Sequence, residues 1–225
     1  MIRSAASGHS QIIFSRLRTL PEGSEITPLT LEDGTVVSKD DGPRPGTSYE
    51  AVSQLKPVFR PDGTITAGNA CPLNDGAAAV VVMSDTKAKQ LGLTPLARIV
   101  SSGVSGLNPE IMGLGPIEAC RQALGRAGMT IDQIDLVEIN EAFACQVIGS
   151  ARHLGIDIDK QLNVHGGAIA LGHPFGMTGS RIMTTLINGL QWKGYRKFDW
   201  SVVGETACAD SWGRALATGE PSLSL

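Results

Sequence analysis

From Leu96 onward the chain alternates short apolar runs with apolar stripes of helical period. Residues 96–104 (LARIVSSGV) and 135–139 (DLVEI) have the length and β-branched content of strands. Between them Ile117, Cys120 and Leu124 fall on one helical face, with Pro116 suited to the first turn and Gly128 as the stop. A second stripe (Val147, Ile148, Ala151, Leu154) ends at Gly155, and a third runs through Ile182, Met183, Leu186, Ile187 and Leu190. Residues 162–164 read as extended. Residues 198–203, and those from Ala207 on, return to strand. Alternating strands and helices predict an α/β fold with a mostly parallel sheet.

Upstream the pattern is less regular. Residues 21–50 are rich in Pro, Gly and charge, and 40–46 (DDGPRPG) is a loop signal. A short helix is expected around Glu50 to Leu55 and a turn at Asp62-Gly63. Residues 76–84 (GAAAVVVMS) read as a buried strand, after which Ser84 caps a helix ending at Gly92.

Composition narrows the function classes. Aromatic residues make up only 4% of the 225, whereas glycines number 27, as in α/β sheets covered by small-residue helices. A net charge of −3 without a basic stripe gives no footprint for nucleic acid. No apolar run approaches the ~18 residues of a membrane span. The cysteines (Cys71, Cys120, Cys145, Cys208) are scattered without a CxxC pair, which argues against a disulfide framework or a metal site and for a reducing compartment such as the cytoplasm. The first twenty residues hold Arg3, Arg16, Arg18, several serines and no acid, a loose likeness to an organellar presequence; an ordinary or altered terminus is the preferred reading.

The candidate chemistry gathers around two motifs, 140–144 (NEAFA) and 166–181 (GGAIALGHPFGMTGSR). The glycines of the second fit neither GxGxxG nor GxxxxGKS, so dinucleotide and P-loop sites are excluded. His173 precedes Pro174 on a loop expected to enter a helix near Met177. There a histidine can donate to an oxyanion, and the helix dipole disfavours its protonation. Asn140 follows a strand and precedes a helix; it reads either as an N-cap or as a holder of a water or oxygen. Cys208, in 205–217 (ETACADSWGRALA), is inert core on its own, and a base or nucleophile beside His173.

These motifs, with 40–45 (DDGPRP), 55–59 (LKPVF), 64–84 (TITAGNACPLNDGAAAVVVMS) and 113–116 (GLGP), resemble the thiolases, acyl-CoA:acetyl-CoA C-acyltransferases, in order and approximate spacing. The wording is similar to bacterial degradative thiolases. The resemblance implies a thiolase-like α/β fold: a C-terminal βαβαβαββ half plus the end of the N-terminal half. Residues 1–95 would hold the N-terminal and loop-domain remnant, and 96–225 the C-terminal domain. It further implies Asn140 as holder of a catalytic water, His173 as activator of the nucleophile and oxyanion donor, and Cys208 as the proton-exchanging thiol. Phe59, Ala67, Ala70, Cys71, Leu73, Met112, Ala142 and Phe143 fall where the family lines its pantetheine channel, Cys71 replacing the usual serine. Coenzyme A is implied as substrate, with no tightly bound cofactor, in fatty acid β-oxidation and lipid metabolism. The partners implied are acyl-CoA substrates, without nucleic acid or membrane, in a homo-oligomer or a pairing with the missing half.

Two departures accompany the match. The family's acyl-accepting cysteine lies on an N-terminal segment with no counterpart here, which implies the C-terminal part of a thiolase, inactive alone. After its last cysteine the family reads CxGGG, where this chain has Asp210-Ser211-Trp212. A non-catalytic acyl-CoA-binding or subunit-pairing protein is the alternative.

Overall fold

Strand β4 (Leu136–Ile139) is buried along its whole length, and the fold is arranged around it. The computed structural model describes residues 25–192, 201–207 and 212–219, with backbone alone for Trp192 and the last two segments. A two-stranded ribbon, β1 (Leu29–Thr30) and β2 (Val36–Val37), comes first, followed by α1 (Tyr49–Ser53) and α2 (Asp85–Gln90). Then come β3 (Arg98–Gly106), a 3-10 turn (Pro109–Leu114), α3 (Gly115–Ala127), a second 3-10 turn (Ile131–Gln133) and β4. The chain continues through α4 (Ala144–Leu154), α5 (Ala168–Leu171), α6 (Thr178–Trp192), β5 (Ser201–Ala207) and β6 (Trp212–Gly219).

The main sheet has the order β3-β6-β5-β4. Only β4 and β5 are parallel; β5–β6 and β6–β3 are antiparallel, so the sheet is mixed rather than mostly parallel. The reason is chain length. Residues 208–211 alone separate β5 from β6, too few for the crossover that a parallel pair needs.

Strand β4 carries helices on both faces. Val137 and Ile139 pack with Ala119, Cys120 and Leu124 of α3 and with Val147 and Ala151 of α4. Leu136 packs on the other face with Ile182, Leu186 and Leu190 of α6. These are the three stripes read from the sequence. Gly128 and Gly155 cap α3 and α4 in left-handed conformations. Small residues let β3 lie close to α3: Ser101 Oγ donates to Ala123 O at 2.6 Å and Ser105 Oγ to Gly115 O at 2.9 Å.

The extended stretch at 162–164 forms one parallel bridge, Val137 to Leu162. Asn163 continues the ladder with its side chain, its Oδ1 accepting from Ile139 N at 2.8 Å and its Nδ2 donating to Ile139 O at 2.9 Å. That amide stands in for the next backbone unit of a strand. The end of β4 is thereby held in place just before Asn140.

Residues 76–84 differ from expectation. They form no strand, and Val81 is 85% exposed. A strand is completed by a neighbour's backbone, and none of the described segments offers one here. Ser84 does cap α2, its side chain accepting from Lys87 N at 3.1 Å. The presequence-like stretch at 1–20 lies outside the described residues.

Candidate functional site

The parallel pair β4–β5 aligns Ile139 with Gly204, so both strands end on the same side of the sheet. Open α/β sheets bind ligands at the carboxyl ends of such strands. Asn140 follows β4 there, and β5 runs on to Ala207, the residue before Cys208. Cys208 itself lies outside the described residues, as do Asp210 and Ser211.

Asn140 is not an N-cap. Helix α4 starts at Ala144 with Phe143 in the cap position, leaving the Asn140 side chain for other work. It is 1% exposed, and its Nδ2 lies 3.1 Å from His173 Nε2. Its Oδ1 is buried and has no hydrogen-bond partner among the described residues. Burying an amide oxygen unpaired costs about 1–3 kcal/mol, so the position is fitted to an incoming donor.

The neighbouring Glu141 joins the two motif loops. Its Oε1 accepts from Asn163 Nδ2 at 2.8 Å and its Oε2 from Ile169 N at 3.1 Å, at the start of α5. A side chain at Gly167 would run into this carboxyl group, which explains a glycine there. Gly172, at φ +93°, occupies a conformation that L side chains rarely adopt. Asn74 fills the space beside it and donates through Nδ2 to Leu171 O at 3.0 Å. Thus the upstream segment braces the loop from which His173 projects.

His173 is 5% exposed and held at both ring nitrogens. Nδ1 lies 2.7 Å from Thr178 Oγ1, at the start of α6, and Thr178 donates in turn to Pro174 O at 3.0 Å. Phe175 contacts the ring edge to face, with centroids 4.9 Å apart. Burial holds the His173 pKa below the ordinary imidazole value, and the positive charge of Arg181 lowers it further. The lowered pKa agrees with the sequence expectation, with burial as its first cause. Both causes disfavour the charged imidazolium.

Arg181 also lies 3.9 Å from Glu138 on β4. Burial pushes the Glu138 carboxyl up to about 8, with Arg181 opposing that rise. Two of the other thiols, Cys120 and Cys145, are not primed for attack. Burial raises Cys120 to about 12, and raises Cys145 as well.

The channel candidates are gathered in part. Ala70 bridges Phe143, Cys71 N donates to Ala142 O at 3.1 Å, and Ala144 N donates to Asn69 O at 2.9 Å. Phe59 meets Phe143 edge to face, with centroids 6.2 Å apart. Phe59, Ala70, Cys71, Ala142 and Phe143 therefore form one cluster beside Asn140. Ala67 is exposed on the same loop, and Leu73 is 88% exposed. Met112 is half-buried on the 3-10 turn whose Gly113 packs against Gln146 of α4.

Sequence reasoning did not single out Thr178, Arg181 or Asn74. Thr178 and Arg181 lie inside the His173 motif, yet at a helix start a threonine reads as a cap and an arginine as a solvated charge. Among the described residues there is no cluster of three or more His, Cys, Asp or Glu able to hold a metal, and no helix long and apolar enough to cross a membrane.

Comparison with known proteins bears on the family and the fold. Residues 93–217 match the family model for the thiolase C-terminal domain, and residues 22–86 that for the thiolase N-terminal domain. Acetyl-CoA acetyltransferase of Pseudomonas aeruginosa is 52% identical over 73% of this chain and 42% of its own length. A 3-ketoacyl-CoA thiolase of Cronobacter sakazakii is 52% identical over 73% of this chain and 44% of its own. The crystal structure of Bacillus anthracis acetyl-CoA acetyltransferase superposes with a TM-score of 0.88 at 39% identity, covering 97% of this chain and 56% of that one. The chain thus spans less than half the length of the curated relatives it matches. Fold, motif geometry and these matches agree: the chain belongs to the thiolase family.

Proposed function

We propose that this chain carries the oxyanion and proton-exchange half of a thiolase active site. The reaction is cleavage of a 3-oxoacyl-CoA by CoA to acetyl-CoA and a shortened acyl-CoA, or the reverse condensation. Residues 96–225 form the catalytic C-terminal domain in this reading, and 1–95 the end of the N-terminal and loop domains. The observation that carries the reading is the buried Asn140–His173 pair, 3.1 Å apart, with an unpartnered amide oxygen beside it.

In this mechanism a cysteine supplied by sequence outside this chain gives its proton to His173 Nε2 and adds as thiolate to the 3-oxo carbonyl. The C2–C3 bond breaks and its electrons pass into the enolate of acetyl-CoA. The now protonated Nε2 and a water held by Asn140 Oδ1 donate to the enolate oxygen. Removing one such donor costs about 100-fold or more in rate. Cys208 then gives its proton to the enolate carbon. The thiol of CoA returns a proton to Cys208 and takes the acyl group from the nucleophile, which recovers its own proton from His173. The cluster of Phe59, Ala70, Cys71, Ala142 and Phe143 lines the pantetheine arm. Fatty acid β-oxidation in the cytoplasm is the setting that fits this chemistry.

The non-catalytic alternative rests on Asp210-Ser211-Trp212, where the family has its glycine run. A carboxylate beside a developing oxyanion opposes it electrostatically. One assay separates the two. The chain alone is expected to give negligible acetoacetyl-CoA thiolysis. Mixed with the unmatched N-terminal portion of a curated relative, it is expected to give turnover that Asn140→Ala lowers about 100-fold. Acyl-CoA binding without turnover in the mixture would favour the alternative.

A further inference from the structure

Asn140 cannot decide which nitrogen of His173 carries the proton. Its amide offers a donor in one orientation and an acceptor in the other, so it can serve either tautomer. Thr178 is tied to one direction once its hydroxyl bonds Pro174 O, a carbonyl that also accepts from Met177 N at 2.9 Å and Thr178 N at 3.0 Å. Its hydroxyl has one proton, and Pro174 O stands 3.0 Å away, four residues back along the chain, to receive it. With that proton engaged, Thr178 Oγ1 can only accept across the 2.7 Å contact to His173 Nδ1. The proton of the neutral ring then sits on Nδ1, and Nε2 keeps its lone pair toward Asn140. Thr178 is fully buried, so no water competes for the contact.

We propose that Thr178 is a positioning residue that fixes His173 as the Nδ1–H tautomer, leaving Nε2 free to take a proton. The proposal rests on the thiolase reading for its consequence, since only there does Nε2 act as a base. With the opposite tautomer Nε2 would already carry a proton and could not accept one from a thiol. Once Nε2 is protonated both ring nitrogens donate, and the Nδ1–H to Thr178 contact is kept while Nε2 turns toward the enolate oxygen.

The test is long-range 1H–15N NMR of the His173 ring in the full chain at pH 8, where the imidazole is neutral. Wild type and Thr178→Ser are expected to show a pyrrole-type Nδ1 and a pyridine-type Nε2. Thr178→Val keeps the shape and removes the acceptor. It is expected to shift the tautomer ratio about tenfold toward Nε2–H, with the Asn140 amide turning to present Oδ1. A wild-type spectrum with the proton on Nε2 overturns the proposal whether or not any variant folds. A folded Thr178→Val with the wild-type ratio overturns it too, as does a folded Thr178→Ser that behaves like the valine. No substrate or turnover enters this experiment, so its failure is distinct from a failure of the thiolysis assay.

Discussion

Glu138 is an acid enclosed between a sheet and a helix, and its titration should be visible in the stability of the whole chain. An unfolded carboxyl ionises near 4.5, whereas the folded one keeps its proton to about 8. Between those values the native state binds more protons than the unfolded state, so stability falls as pH rises. The contribution is fully present below about 4.5 and lost as pH passes about 8. The expected loss is of the order of a few kcal/mol. Urea midpoints at pH 5, 6.5 and 8 should fall more steeply for wild type than for Glu138→Gln, which stays neutral throughout. Parallel profiles would show that Arg181 keeps Glu138 ionised in the fold. The same burial governs Cys120. With its thiol pushed to about 12, it should resist iodoacetamide at pH 8 in the folded protein and react after denaturation. Labelling of the native protein at Cys120 would mean that α3 opens.

At the scale of elements, the two motif loops are held by a clamp: the Glu141 carboxyl between Asn163 and the start of α5. Gly167→Ala should force the carboxyl aside and cost about 1–3 kcal/mol. The measure is a lowered melting temperature together with shifted His173 ring resonances; an unchanged protein would mean that the clamp yields easily. What the sequence revealed at this scale depended on how local each signal was. Helices α3, α4 and α6 were legible because their apolar stripes sit within one element, with glycine stops closing α3 and α4. The register of the motifs was legible too, since Asn140 and His173 do meet. The role of Asn140 was ambiguous because helix α4 starts later than the pattern suggests, at Ala144. Sheet direction was misread because a helix-rich alternation hides the hairpin β5–β6. The valines of 76–84 were read as buried because strand propensity says nothing about whether a partner is present. Thr178 was invisible for a further reason: its part depends on a ring nitrogen five residues away and on a carbonyl one turn back.

At the scale of the molecule, burial is uneven. The sheet and its helices hide β4 completely, yet Val58, Val81, Val82 and Leu96 are each 60% exposed or more. Soluble monomers seldom expose apolar surface in quantity, and such surface marks an interaction site. In the proposed reading the remaining thiolase half covers it, and the same half supplies the nucleophile. The two roles make one prediction with separable parts. Alone, the chain should bind a hydrophobic dye and elute larger than a monomer as concentration rises. With the complementing half, dye binding should fall as thiolysis appears, both saturating at the same ratio. Val81→Asp with Val82→Asp should abolish the saturation of both while leaving the His173 ring resonances of the isolated chain in place, because neither valine touches that loop's described hydrogen bonds. Turnover that appears without loss of dye binding would place the complementing surface elsewhere. Dye binding lost without turnover would leave pairing intact and turn attention to Asp210-Ser211-Trp212 as the reason that chemistry stops.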